Sequence, residues 1–356
     1  MRGNFIGKAS LNKRDSKFPC YAKGDTKNGG SYNRFYIALT DNKNNRVMTE
    51  LFGVKQDVIK VVDKGNTINI KWEDRKDKDM LATIPYYKKI KFKFLDEEVE
   101  FLSAYDAVEY LNDHSDLIVG KTLNVYCNID KNIYNGKISD RFTIQRIESA
   151  EDSQPQMMVT MGFFFDKDVL DKSEWKKNKR LYFNGYVQSY IPEKKATMYV
   201  PQMLVLDASK VDMGNKEHYG RFKLIVNSLG CETDEDGNDV SCNLKGNAIY
   251  KTEMKCRYIN SAQEVPFDES MLTPMQRDAI ASGVKKLSDF ADKKVYGERV
   301  TEYRTSEPTL VGDYANGYVN TEMTRDEFDE NAYIVGEAES EDILDKAMNK
   351  PVEEVF

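Results

Sequence analysis

Apolar side chains along the first half of the chain fall on every second position in a series of short runs. That period predicts strands at Asn4–Leu11, Arg34–Thr40, Arg46–Phe52, Thr67–Trp72, Lys88–Leu95, Lys121–Ile129 and Lys137–Ile147, because successive side chains of a strand point to opposite faces. Asp41 to Asn45 is a turn signal between two of them. Trp72 alternates with Ile68 and Ile70 and is assigned to the core. The period changes once. Ala104, Ala107, Val108 and Leu111 recur at helical spacing, with Ser103 as N-cap, and predict a helix over 104–112.

A polar stretch around Pro155 reads as a linker, and a second region repeats the plan. Its expected strands are Arg180–Tyr190, Thr197–Leu206, Arg221–Leu229, Ala248–Tyr258 and Tyr296–Arg304. A helix is expected over Pro274–Ala291, with Thr273 and Gln276 forming a capping box around Pro274. Gly7 and Gly185 each sit inside the opening strand of their half, where a small barrel must bend sharply. Several strands with one helix in each half predict a mainly β chain of tandem OB-fold-like barrels. The expected organisation is a first barrel over 1–150, a second over 151–312 ending in a helix and a strand, and a tail over 313–356.

The polar positions of these strands share a composition. Arg180, Tyr182, Tyr186 and Tyr190 fall on one face of their strand, opposite Leu181, Phe183 and Val187. Arg34 and Tyr36 alternate with Phe35 and Ile37, Tyr126 with Val125 and Cys127, and Arg141 with Phe142. Lys89, Lys91 and Lys93 alternate with Ile90 and Phe92, and Arg221 and Lys223 with Phe222 and Leu224. Two connections add Tyr86 and Tyr87, and Trp175, Lys176 and Lys177. Trp175, among lysines, is the expected stacking residue of its loop. Aromatic rings beside cations on a solvated sheet suit single-stranded nucleic acid, whose bases stack and whose phosphates need positive charge. Cross-strand tyrosines also stabilise sheets, so the pattern carries weight only through its recurrence.

Charge changes the picture. The whole chain carries −7, yet residues 313–356 hold 13 acidic and 3 basic side chains, leaving +3 on the body. The tail is poor in large apolar residues and is expected to lack a core of its own. No apolar run reaches the roughly 20 residues of a membrane helix, and the first ten residues have no apolar signal region. Five scattered cysteines and 2 histidines give no CxxC pair and little room for histidine chemistry. They fit a reducing cytoplasm. Gly3 to Ala9 departs from a phosphate-binding loop in spacing and in its last residue, and Asp234 to Asp239 lacks calcium-loop spacing. A zinc site from Cys231, Cys242, Cys256 and His218 has no standard spacing. No enzyme motif, cofactor or metal is expected.

With its barrel-like halves, its aromatic and basic strand faces and its acidic end, the chain resembles single-stranded DNA-binding proteins of large bacteriophages. The ending Pro351-Val-Glu-Glu-Val-Phe356 has the acid pair and terminal Phe of that family's tails, without the Asp-rich, Pro-Phe ending of the bacterial proteins. The resemblance implies a non-enzymatic protein that coats single-stranded DNA in replication, recombination or repair. It also implies a tail that recruits a polymerase, helicase or recombinase through Glu353, Glu354 and Phe356. A phage structural or assembly protein, or an RNA-binding regulator, would present the same faces to other partners.

Overall fold

The structure is a computed structural model and describes residues 1–26, 29–95, 97–134, 136–265, 272–287, 289, 295–308 and 320–333. The chain is mainly β. Its first half contains β1 (Arg2–Ser10), β2 (Tyr21–Asp25), β3 (Ser31–Thr40), β4 (Arg46–Val54), β5 (Val58–Asp63), β6 (Asn66–Lys71), α1 (Lys78–Thr83), β7 (Ile90–Lys93), β8 (Val99–Phe101), α2 (Ala104–Asp113), β9 (Thr122–Tyr134) and β10 (Lys137–Ser149). The second half contains β11 (Gln156–Phe165), β12 (Leu170–Asp171), α3 (Trp175–Asn178), β13 (Arg180–Ile191), β14 (Ala196–Asp207), α4 (Lys216–Asn227), β15 (Cys231–Thr233), β16 (Val240–Cys242), β17 (Ala248–Val265), α5 (Pro274–Ala281), β18 (Val295–Pro308), β19 (Asn320–Thr324) and α6 (Arg325–Asp329).

Strand pairing closes a five-membered ring in each half. In the first, β1 pairs with β3, β3 with β4, β4 with β10 in parallel, β10 with β9, and β9 back with β1. In the second, β11 pairs with β13, β13 with β14, β14 with β18 in parallel, β18 with β17, and β17 back with β11. The two rings share one connectivity, and in each a helix joins the third strand to the fourth: α2 in the first, α4 in the second.

The expected boundaries need three corrections. The opening strand of the second ring is β11, not the strand carrying Gly185. Gly185 lies in β13, and a Cβ there would sit 2.4 Å from the Phe164 carbonyl oxygen. Its absence permits the close contact of β11 and β13 at Phe164 and Tyr186 that shuts the ring. The expected strand Arg221–Leu229 is instead the end of a helix and the turn after it, because Asn215 caps α4 by accepting from the amides of Glu217 and His218, and Phe222, Ile225 and Val226 turn inward together. Finally, α5 is shorter than expected, ending at Ala281 with none of its residues buried, and Ala291 lies outside the described residues.

The rings are not separate beads. β1 and β11 pair antiparallel, from Arg2 with Thr160 to Ile6 with Gln156, so one sheet runs through both. The core is likewise continuous. Phe5, Phe142 and Val125 of the first ring and Met157, Tyr258 and Tyr303 of the second belong to one cluster, with Phe142 edge-on to Tyr258 at 5.2 Å. A polar seam crosses the junction. The Lys131 ammonium donates to Asp140 at 2.7 Å and to Gln202, its backbone amide donates to Ser189 Oγ at 2.8 Å, and Tyr303 OH donates to Asp140 at 2.7 Å. Burial, with Asp140 beside it, pushes the Tyr303 phenol well above its ordinary range.

Two pieces are appended. β5, β6 and α1 build a small satellite core from Ile59, Val61, Ile70 and Ile84. Trp72, expected in the main core, is half-buried at the edge of this satellite, with the Arg75 guanidinium 3.9 Å from its ring centre. Arg75 also donates to Asp106 of α2 at 2.7 and 3.0 Å, tying the insertion to the barrel. The second piece lies in the acidic segment. β19 pairs with β17, and α6 seats Phe328, 0 % exposed, against Phe164, Tyr199 and Ile249. Residues 320–333 are therefore structured, although their composition predicts no core, because one phenylalanine borrows apolar surface from the barrel.

Candidate nucleic-acid interface

The outer face of β3, β4 and β10 carries the most complete aromatic and basic set. Along β3, Asn33, Phe35 and Ile37 point inward while Tyr32, Arg34 and Tyr36 are half-exposed. On β4, Thr49 and Leu51 point inward while Met48 and Phe52 are exposed at 36 % and 37 %. Register places Tyr32 opposite Val54, Arg34 opposite Phe52, and Tyr36 opposite Glu50. The Tyr32 and Phe52 rings lie 5.5 Å apart at 31°, and the Arg34 guanidinium sits 4.9 Å from the Tyr36 ring centre. Arg141 on β10 pairs with Glu50 and lies 5.9 Å from the Phe52 ring.

The electrostatics favour an anion at this face. Arg34 makes no ion pair among the described residues, and its Nε is buried without an acceptor. Glu50 is engaged by Arg141. Burial, with Glu50 alongside, raises the Tyr36 phenol, which therefore stays neutral and free to stack. The face rests on a firm support. Asn33, fully buried, donates to the Tyr105 carbonyl at 2.8 Å and fixes the start of α2 beneath it. Arg34, Tyr36 and Arg141, expected from alternation, are thus brought together. Tyr32 and Phe52 were missed, although Met48, Glu50 and Phe52 alternate with Val47, Thr49 and Leu51 as clearly as in any other strand.

The same face continues around β10. Arg146 lies opposite Tyr126 in the register, 5.2 Å from its ring, and opposite Lys91 of β7. Around Lys91 the expectation of three exposed lysines is corrected. Lys89 is 7 % exposed and bonded to Glu100 at 2.7 Å, and Lys91 is 5 % exposed with its ammonium 2.9 Å from the Tyr86 ring centre. β7 has neighbours on both edges, and the short turn at Tyr86 folds over its outer side, so only Lys93 remains at the surface. Tyr86 and Tyr87 are exposed at 48 % and 62 %, bonded to Glu98 at 3.1 Å and Asp63 at 2.6 Å.

On the second ring the corresponding face is β13 and β14, and it is only partly open. Arg180 is paired with Glu302, and Tyr182 OH donates to Glu174 at 2.8 Å, both half-buried. Tyr186 is covered by Phe328 at 4.7 Å, while Tyr190 is 51 % exposed. The expectation for Trp175 is overturned. Its side chain is 2 % exposed, stacked on Phe222 at 5.6 Å and 12°, with its indole N–H donating to the Asn238 carbonyl at 2.7 Å. The neighbouring lysines 176 and 177 are exposed on α3. Arg221 and Lys223 belong to α4, where Arg221 pairs with Glu217 at 2.7 Å, so they share no strand face. Glu353, Glu354 and Phe356 lie outside the described residues.

Cys231 and Cys242 face each other across β15 and β16, both as free thiols, and Cys256 is buried in β17 away from them. Among the described residues no cluster of three His, Cys, Asp or Glu side chains could hold a metal ion. His114 closes α2 and stacks on Tyr110 at 4.0 Å. Asp234, at the head of the acidic loop, accepts from the amides of Asn238 and Asp239 and so shapes a turn. No helix among the described residues is long and apolar enough to cross a membrane.

No family model matches the chain, and no curated protein matches it. Among solved structures it is similar to a deletion mutant of the single-stranded DNA binding protein from Thermus aquaticus, with 8% sequence identity, 73% of this chain and 86% of that chain covered, and a TM-score of 0.28.

Proposed function

We propose that the chain is a non-enzymatic binder of single-stranded DNA, and that both rings are OB-folds. The observation that supports this best is the outer face of β3, β4 and β10, where Tyr32, Tyr36 and Phe52 lie beside Arg34 and Arg141 on the second, third and fifth strands of a closed barrel. OB-folds bind oligonucleotides on the face of their second and third strands. Partly exposed rings provide stacking for bases of any sequence, and a phosphate backbone would meet Arg34, which makes no ion pair among the described residues, and Arg141, which would exchange Glu50 for it. Tyr126 and Arg146 extend the same surface, and Tyr86, Tyr87 and Lys93 border it.

In this reading the protein coats and protects single strands during replication, recombination or repair in the cytoplasm. The acidic end, through Glu353, Glu354 and Phe356, recruits a polymerase, helicase or recombinase. The test is a titration of the full chain with single-stranded DNA, duplex DNA and RNA at several salt concentrations. Preference for single-stranded DNA is expected, with a log–log salt slope of about −0.7 for each phosphate neutralised. Equal affinity for duplex, or no dependence on salt, rejects the reading. Preference for RNA transfers it to a regulator of RNA, since stacking on aromatic rings serves both polymers.

A further inference from the structure

Between the rings lies a polar cleft of about 610 Å³ that the platform on β3 and β4 does not include. One lip is the Asp41–Asn45 turn joining β3 to β4. The other is built by β17, β18 and the residues just after β14. Besides Arg304, which is paired with Asp207 and Glu302, three cations line it: Lys43 from the turn, Lys210 after β14, and Arg257 on β17. All three are exposed, and none makes an ion pair among the described residues. The single carboxylate in the lining, Asp207, is already satisfied. It accepts from the Ser209 amide at 3.1 Å and hydroxyl at 2.6 Å, and it pairs with Arg304 at 3.3 Å. Asn45, 2 % exposed, also lines the cleft, with its Oδ1 left without a donor.

The position of the cleft gives these charges a direction. Tyr36 and Thr40 on β3, with Met48 and Arg46 on β4, lead along the outer face of the first ring to the turn. Across the cleft, Asp207 is the register partner of Arg180, and Tyr182 stands two residues further along β13. Those residues begin the half of the second face that α6 leaves uncovered. A chain that leaves the first platform at the turn therefore meets three unpaired cations before the first aromatic ring of the second barrel.

We infer that this cleft is the bridge by which one strand of nucleic acid passes between the barrels, its phosphates held by Lys43, Lys210 and Arg257. The inference rests on the single-strand reading of the platform. A rigid bridge is also what the buried seam of Lys131, Asp140 and Tyr303 supplies, because it fixes the two lips relative to each other.

The test compares the full chain with its K43Q/K210Q/R257Q variant, using single-stranded DNA of about 5 and about 25 nucleotides, lengths chosen from the 4–16 nucleotides an OB-fold covers. At about 0.15 M salt the Debye length is about 8 Å, so removal of the cleft charges acts locally. The longer strand is expected to bind the variant at least tenfold more weakly, with a salt slope shallower by about 2, three phosphates at roughly 0.7 each. Affinity for the short strand is expected to hold, and an unchanged melting temperature shows that the fold is intact. An unchanged slope with the long strand overturns the bridge while leaving the platform standing. Wild-type protein that binds neither strand removes the platform first. If a free nucleoside monophosphate binds wild type and not the variant, the cleft is a nucleotide pocket and the bridge is overturned.

Discussion

Tyr32 and Phe52 face each other across neighbouring strands of the first barrel, with Arg34 between them and Tyr36. Their rings are partly solvated and hold no hydrogen-bonded core together. Phe52→Ala and Tyr32→Ala are expected to lose about 1–3 kcal/mol each of single-strand affinity, with little change in melting temperature; equilibrium titration beside thermal unfolding measures both. Lys91 behaves in the opposite sense. Burial, then the nearby Arg146, holds its ammonium below the usual lysine range. The folded state thus disfavours the charged form, and this cost is present at neutral pH and relieved as pH rises through the lowered pKa. Lys91→Met is expected to raise the melting temperature at pH 7, with the gain shrinking as pH approaches the unfolded lysine value of about 10.4. A gain that persists unchanged there would locate its origin in packing instead. Alternation revealed Arg34, Tyr36 and Arg141 in the sequence. It could not reveal that Lys89 and Lys91 are covered, because the covering group, the turn at Tyr86, lies in a connection with no period. Trp175 misled for a related reason: its lysine neighbours point away on a single helical turn while the indole packs inward on Phe222.

Elements with a single local period were legible, and those with two were not. α2 carried its cap and stripe in plain view. In α4, Phe222, Leu224 and Val226 imitate a strand, yet Phe222, Ile225, Val226 and Leu229 also fit a helix, and Asn215 at the start decides between them. β11 was harder to read: Met157, Val159, Met161 and Phe163 alternate inward, but their half-buried neighbours include Met158 and Gly162, and burial is continuous over Phe163, Phe164 and Phe165, so polar positions do not mark its outer face. α6 was hidden by charge. Four acidic residues, Asp326, Glu327, Asp329 and Glu330, surround the one phenylalanine that docks it. Phe328→Ala removes that anchor. The expected result is loss of hydrogen-exchange protection at the Tyr199 amide, which donates to the Asn331 carbonyl at 2.9 Å, while β3 and β4 retain theirs. Continued protection at Tyr199 would mean that β19 and the pair of Arg325 with Asp166 hold the segment without the ring.

At the scale of the whole molecule, the recurrence of several strands and one helix was legible as a repeated order of element types, and the joint between the two rings was not. Nothing local marks Arg2–Ile6 as the partner of Gln156–Thr160, because pairing between residues so distant leaves no period in either. That pairing has a consequence during synthesis. β1 leaves the ribosome before β11, and at about 5–20 residues per second this last partner follows roughly 8–30 seconds later. Throughout that interval Arg2–Ile6 is an open strand edge beside the Phe142 ring, which still lacks Tyr258. A nascent first barrel can offer this edge to another copy of itself, antiparallel, as it will later offer it to β11. A fragment ending at Ala150 is therefore expected to dimerise with increasing concentration in sedimentation experiments, and Asn4→Lys, a charge on that edge, to shift it toward monomer. A fragment that stays monomeric at high concentration would show that the first barrel closes its own edge, and that the second is joined to it only after folding is done.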